Sequence, residues 1–493
     1  MRSMQVSDTA IDRHETRFST VESNEDALQA FAHWVTSTNR NWPDKAIEAA
    51  RLQFIDVLGV TVAGATEDVT RITQATVSNW GTGQSTIIGT PHRLAAPWAA
   101  LVNGTAAHAL DFDDNFDPAK AHASAVLVPA ILALGEECRI SGMDAIDAYI
   151  VGLQIMGRIG QGINPYHRNR GWHATATVGA IAAAAAGARL LQLNAAQTAH
   201  ALSLATSMAS GSMAQFGSMT KPLHAGLAAK SGVMAASLAR AGISAGAQVF
   251  DGPYGIGRLM VGPDYEKLRD SLEHVEHGQT MRFESEMVGE PLLILSDGFR
   301  VKRFPNCGSA HRAMDGLLEL LEKHELEPDE IEKVIVAAPA SHLNNLPYTC
   351  PRSPLEAKFS LEFALSLIVL NRSCSLSDFS PDKVADLKMR SFYSRIVRRP
   401  VDQPEGTFPT EVQVQLRDSR SLETCVNVPH GSRTLPFTED IYWQKFGLCL
   451  SYAGAGSAFE RLRSSLTRLP QLPDIGELTS CLRISPENED TAG

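Results

Sequence analysis

The chain has 493 residues, 44% of them hydrophobic and 20% charged, an ordinary globular composition with length enough for several domains. Acidic residues (55) outnumber basic ones (44), and the net charge of −11 argues against a general binder of nucleic acid or of an anionic membrane surface, though not against a local cationic pocket. The 7 cysteines are scattered and form no CxxC pair, which speaks against a disulfide framework, a zinc ribbon or an iron–sulfur cluster and points to a reducing compartment.

Residues 1–25 are polar and mixed in charge, without the apolar core of a signal peptide, and read as a disordered leader. Two helices follow over 26–64; Pro43-Asp44 starts the second, with Ala46, Ala49, Leu52, Ile55, Leu58 and Val60 on one face. Residues 85–88 read as a short strand, and a helix from Pro97 runs up to Asp111. Further helices are predicted over 124–139, 143–160, 172–191, 195–211 and 222–241. They are dense in Ala, Gly and Ser, as at 182–186, so they must approach one another closely in a buried bundle. The run 174–188 is too short and too weakly apolar to span a bilayer, so the expectation is a cytoplasmic protein without membrane contact.

Near residue 300 the pattern changes. Val334-Ile335-Val336-Ala337 reads as a strand, 411–416 alternates with period two, and a turn at Asp418-Ser419-Arg420 lets 422–428 return as a hairpin. Helices over 309–323 and 359–371 lie between, so 296–431 is expected to form an α+β domain. Residues 437–469 are helical again and are expected to pack back on the first bundle; 484–493 read as a second disordered tail.

Four stretches concentrate chemistry. In His108-Ala109-Leu110-Asp111-Phe112-Asp113-Asp114-Asn115, three acids stand at a helix C-terminus, where the dipole disfavours them, and His122 follows at the next helix start. Their spacing fits no standard zinc or EF-hand pattern; an acid orienting a histidine and plain turn chemistry both remain as readings. Gly171-Trp172-His173 places His173 at the positive end of a helix, which favours neutral imidazole and makes it a candidate base, or a structural histidine. In Met219-Thr220-Lys221-Pro222-Leu223-His224, the proline biases Lys221 toward the cap of a helix starting at Pro222. A lysine there opposes the dipole, which makes sense if a carboxylate or phosphate sits among Lys221, His224 and the helix N–H groups; a surface lysine is the alternative. Lastly, Lys302-Arg303-Phe304-Pro305-Asn306-Cys307 and His311 could hold a second carboxylate or form a hinge with a basic rim. Nothing in the sequence stabilises a Cys307 thiolate.

Together these motifs, in this order over about 27–470, resemble the MmgE/PrpD family. The resemblance implies a mainly α fold: an all-helical domain from both chain ends (26–295 plus 432–483) with an inserted α+β lid (296–431). It also implies a homodimer, no nucleic-acid partner, and a site without metal or other cofactor that takes a small polycarboxylate. It carries Asp111, His122, His173 and Lys221 into catalytic roles, and Asn115, His224, Lys302 and Cys307 around the substrate. Family members dehydrate 2-methylcitrate, decarboxylate cis-aconitate or epimerise iminodisuccinate, all by moving protons at carbon beside carboxylates. Asn115 and Cys307 stand where animal-type decarboxylases carry threonine and histidine, and their pocket tyrosine has no clear counterpart near Leu343. These departures weaken the likeness to the animal-type decarboxylase, and Asn306-Cys307 is nearer to the epimerase and to fungal or bacterial branches. A 2-methylcitrate-type hydro-lyase is favoured, with decarboxylase and epimerase as alternatives and a non-enzymatic carboxylate-binding scaffold as the alternative of another class.

Overall fold

The computed structural model describes residues 26–271, 280–402 and 409–484; apart from Ile484, the tails expected at 1–25 and 484–493 lie outside them. The first part is a succession of helices: α1 Ala27–Ser37, α2 Asp44–Gly64, α3 Asp68–Val77, α4 Ala96–Ala109, α5 Ser124–Cys138, α6 Gly142–Ile163, α7 Tyr166–Asn169, α8 Ala174–Leu190, α9 Ala195–Thr206 and α10 Thr220–Arg240. Local signals start several of them. Ser141 and Asp144 form a capping box on α6, as Asn194 and Gln197 do on α9, and the Asp26 carboxylate accepts from the Leu28 N–H at the head of α1. Two-residue strands, β1 Ser85–Thr86 and β2 Arg93–Leu94, pair antiparallel.

Every residue of α8 is buried, so its alanines are core rather than surface. Glycine permits a close contact between α4 and α10. A Cβ on Gly104 would lie 2.8 Å from the Gly226 Cα, and one on Gly226 would lie 2.1 Å from the Leu101 carbonyl oxygen. The two helices meet backbone to backbone there, with the end of α4 beside the start of α10. Helix α10 begins at Thr220 after Met219, so Lys221 stands inside the first turn rather than at the cap. Pro222 is tolerated at the third helical position because the N–H it lacks is one the helix leaves unpaired.

The helices Glu439–Tyr452 and Phe459–Thr467 return to this bundle: Tyr442, Trp443, Phe446 and Leu462 share its core with Phe54, Ile55 and Leu58 of α2. A second core, from Phe304 to Leu416, lies around a four-stranded sheet of order β4-β3-β5-β6, where β3 is Ile331–Pro339, β4 Ile396–Val401, β5 Thr410–Leu416 and β6 Ser421–Val426. Strand β3 pairs parallel with β4 and antiparallel with β5, and β5–β6 is the hairpin expected from the alternation. Val412, Val414 and Leu416 turn inward beside the helices His311–Lys323 and Leu361–Asn371. Strand β4 was not expected. It is an edge strand whose Arg398, Arg399 and Pro400 suit an edge and break the apolar alternation that announces a strand. The fold is thus mainly α with an inserted α+β part. Among the described residues no helix is long and apolar enough to cross a membrane, and all 7 cysteines are unpaired.

Candidate active site

The site is built on the turn that ends α4. Asp111 adopts a left-handed conformation (φ 51), which aspartate tolerates better than most residues. Three successive carbonyls of the turn each accept from a buried lysine: Leu110 from Lys358 Nζ at 2.8 Å, Asp111 from Lys302 Nζ at 2.7 Å, and Phe112 from Lys445 Nζ at 2.8 Å. These ammonium groups offset both the negative helix end and the three acids gathered there.

Each acid has a separate partner set. Asp111 Oδ1 accepts from Lys221 Nζ at 2.6 Å and faces Lys302 Nζ at 3.1 Å. The anion expected beside Lys221 is therefore, in the first instance, the protein's own. Burial alone would raise the Asp111 carboxyl, but Lys221 and Lys302 hold it well below the usual range. Asp113 Oδ2 lies 2.8 Å from His108 Nδ1 and 3.3 Å from His122 Nδ1. It too is held low, because those two rings outweigh the effect of burial. Asp114 points the other way, accepting from the Ser124 N–H at 3.2 Å and from its hydroxyl, which also bonds the Tyr149 phenol at 2.7 Å. Burial with no cationic partner pushes it up to about 7.

The histidines face these acids. His173 caps α8, its N–H bonded to the Gly211 carbonyl at 3.0 Å, and its ring stands edge-on to Phe216. Its Nδ1 lies 3.0 Å from His224 Nδ1, which leaves Nε2 for the cleft. Burial, then the Lys221 charge, holds His173 well below the ordinary imidazole range. His122 and His224 are lowered as well, burial again the first cause.

Seven of the residues named from the sequence line one cleft: Asp111, Asn115, His122, His173, Lys221, Lys302 and Cys307. His224 does not; it stands behind His173. Arg303 turns away to Asp315 at 2.8 Å, and His311 is buried edge-on to Phe304. Burial pushes the Cys307 thiol up, so it is a wall and not a thiolate. Lys120, Arg168, Arg300, Ser309, His342 and Asn345 line it too and were missed. Arg168 donates to the Asn345 amide oxygen at 2.6 Å, and the Asn345 amide nitrogen donates to Ser309 at 2.8 Å, so one wall is wired across 177 positions of sequence. Only the run of cations between Pro165 and Gly171 hinted at Arg168. His342, not Leu343, reaches the cleft; Leu343 belongs to the α+β core.

His108, Asp111, Asp113 and His122 bring ligand atoms within 4.8 Å of one another, a spacing a metal ion could use. The Lys221 ammonium already bonds two of the four groups, Asp111 Oδ1 and, at 2.9 Å, His108 Nε2.

A helical bundle closed by both chain segments, an inserted α+β part and a buried cleft of histidines, lysines and carboxylates define the class. Residues 29–268 match the MmgE/PrpD N-terminal domain and residues 304–468 the MmgE/PrpD C-terminal domain, and the chain belongs to the MmgE/PrpD family. It is similar to the cis-aconitate decarboxylase of Homo sapiens (26% identical, 89% of this chain and 91% of that one) and of Mus musculus (27%, 91% of each). The cis-aconitate decarboxylase of Aspergillus terreus is 26% identical over 92% of this chain and 96% of its own.

Proposed function

We propose that this protein is a lyase acting on a small tricarboxylate, and that the reaction is decarboxylation of cis-aconitate. The observation that carries the reading is the charge of the cleft. Five cations line it (Lys120, Arg168, Lys221, Arg300, Lys302) with two carboxylates, Asp111 and Asp117, a surplus that suits a trianion. The names of the relatives support cis-aconitate as that trianion.

The chemistry needs no redox step. The methylene-bound carboxylate leaves as CO2, and its C–C electron pair forms a new terminal C=C. The electrons of the old double bond move to the carbon that bears another carboxylate, giving an enediolate. Lys221 and Lys302, buried and already oriented, stabilise the developing oxyanion. His173, through Nε2, delivers one proton to that carbon and is reprotonated from solvent, with His122 as the second acid–base group and Asp111 holding both lysines. Asn115 and Cys307 shape the wall, and His224 fixes the His173 ring from behind. In this reading no metal or other cofactor takes part, 296–431 acts as a lid over 26–295 plus 432–483, and the enzyme is a cytoplasmic homodimer.

Dehydration of 2-methylcitrate is the second reading, kept because Asn115 and Cys307 stand in place of the animal-type threonine and histidine and weaken the likeness to that decarboxylase. Incubation with cis-aconitate, 2-methylcitrate and iminodisuccinate, with products followed by NMR, separates the possibilities. The proposal expects itaconate from cis-aconitate as the fastest reaction. Loss of water from 2-methylcitrate without decarboxylation of cis-aconitate would move the assignment to the hydro-lyase; epimerisation alone would move it to the third activity. Binding of all three without turnover would leave a scaffold.

A further inference from the structure

His108 is 1% exposed and does not line the cleft, yet it touches the residue on which the proposed chemistry depends. Its Nε2 lies 2.9 Å from Lys221 Nζ and its Nδ1 lies 2.8 Å from Asp113 Oδ2. An ammonium has only donors, so Nε2 must accept, and the ring proton must sit on Nδ1 and point at Asp113. The same Asp113 oxygen faces His122 Nδ1 at 3.3 Å. Hydrogen bonds thus run from Lys221 through His108 to Asp113, and His122 stands in electrostatic contact with the far end of that line. The groups that face His108 are Asp113 and Lys221 at its two nitrogens and the rings of His122 and His173, at 4.5 and 5.8 Å between centroids.

We infer that His108 is a positioning residue: held by Asp113 as the neutral Nδ1–H tautomer, it fixes the Lys221 ammonium with its third donor toward the cleft and couples it to His122. Two of the three Lys221 donors are then spent, on Asp111 and on His108. Without His108 the ammonium keeps one fixed partner and can rotate about it. An oxyanion donor that must reorient as charge develops loses most of its advantage. The Asp113 carboxylate also makes Nε2 a stronger acceptor, as a carboxylate behind an imidazole does elsewhere. When His122 takes a proton, its pull on the shared Asp113 oxygen weakens that effect, so the charge states at the two ends of the line depend on each other.

The inference rests on the proposed role of Lys221, but its test divides the two. Asparagine places an amide donor where Nδ1 stands, and glutamine places an amide oxygen where Nε2 stands. His108→Asn therefore keeps the Asp113 bond and removes the acceptor for Lys221; kcat on cis-aconitate is expected to fall roughly 10- to 100-fold with KM little changed. His108→Gln keeps an acceptor for Lys221 and cuts the link to Asp113; most of kcat should return, with a displaced pH profile. Wild-type kcat and pH profile in His108→Asn would overturn the inference, as would a glutamine variant no better than the asparagine one. Histidine 15N NMR of the unaltered protein, the His108 signal being identified by its loss from the His108→Gln spectrum, needs no substrate. It should show a neutral Nδ1–H ring from about pH 5.5 to about pH 8; an Nε2–H ring, or titration in that range, contradicts the assignment. If the wild-type protein leaves cis-aconitate unchanged, the proposed reaction fails, while the tautomer still decides the arrangement around His108.

Discussion

Lys221 and Asp111 sit 110 positions apart in sequence and 2.6 Å apart in space, both almost wholly buried. That burial changes what Lys221→Met should do. Read from the chain alone, the lysine has a stem that lies along apolar surface, and removal of its charge should leave folding almost untouched. In the fold, the substitution strands a carboxylate, a kind of loss that usually costs about 3–5 kcal/mol; Lys302, 3.1 Å from the same oxygen, reduces it. We expect a measurable fall in denaturation midpoint together with a loss of kcat/KM equivalent to about 2–4 kcal/mol of transition-state stabilisation. Wild-type kcat/KM in Lys221→Met would remove the lysine from the chemistry. The residues legible in sequence were those with a local oddity: acids at a helix C-terminus, a lysine at a helix start, a histidine after a glycine. Lys120, Arg300 and Asn345 carry no such mark, and Arg168 only its place in a short run of cations, because what makes them part of the cleft is tertiary and crosses both parts of the chain.

At the scale of elements, the distance between Asp111 and Lys221 is set by how closely α4 and α10 approach. Gly104 and Gly226 set that approach, far enough from the cleft to line none of it. Gly226→Ala puts a methyl group against the Leu101 carbonyl and the Thr105 side chain, so the helices must separate. The expected outcome is a stability loss of about 1–3 kcal/mol from overpacking. It should come with a fall in kcat of up to about a hundredfold as the ion pair is displaced. Full activity in a folded Gly226→Ala protein would show that the pair tolerates the shift. Composition announced this contact: alanine- and glycine-rich helices with few charges can only be core, and α8 is buried at all 17 positions. Periodicity failed where edge chemistry replaces alternation, as in β4, and where a helix is short and mostly polar, as in α3.

At the scale of the whole molecule, folding buries histidines as neutral rings. Six of them (His108, His122, His167, His173, His224 and His311) are lowered from the ordinary imidazole range, His108, His167 and His311 to about 3, burial being the first cause for each. The unfolded chain takes up protons near pH 6.5 that the folded one refuses, so stability rises with pH below that point and is lost as pH falls through it. Asp111 and Asp113, held low, stabilise the fold above the ordinary carboxylate range and add their loss only at lower pH, near about 4. Asp114, pushed up to about 7, opposes this with a single proton against six rings, so melting temperature should still drop from about pH 6.5 downward, with net proton uptake on unfolding at about pH 5.5. A melting temperature flat between about pH 6.5 and about pH 5 would mean that these rings are not buried neutral.

The central claim is that this cleft decarboxylates a tricarboxylate with its own side chains. The most direct test is to strip the purified protein with a chelator and give it cis-aconitate in D2O. The account predicts undiminished CO2 release and itaconate carrying a single deuterium on the methylene next to a carboxylate, placed there by a histidine. Contradiction would be a stripped protein that releases no CO2, or one that does so only after a metal ion is restored, which would make His108, Asp111, Asp113 and His122 ligands instead of a proton and charge network.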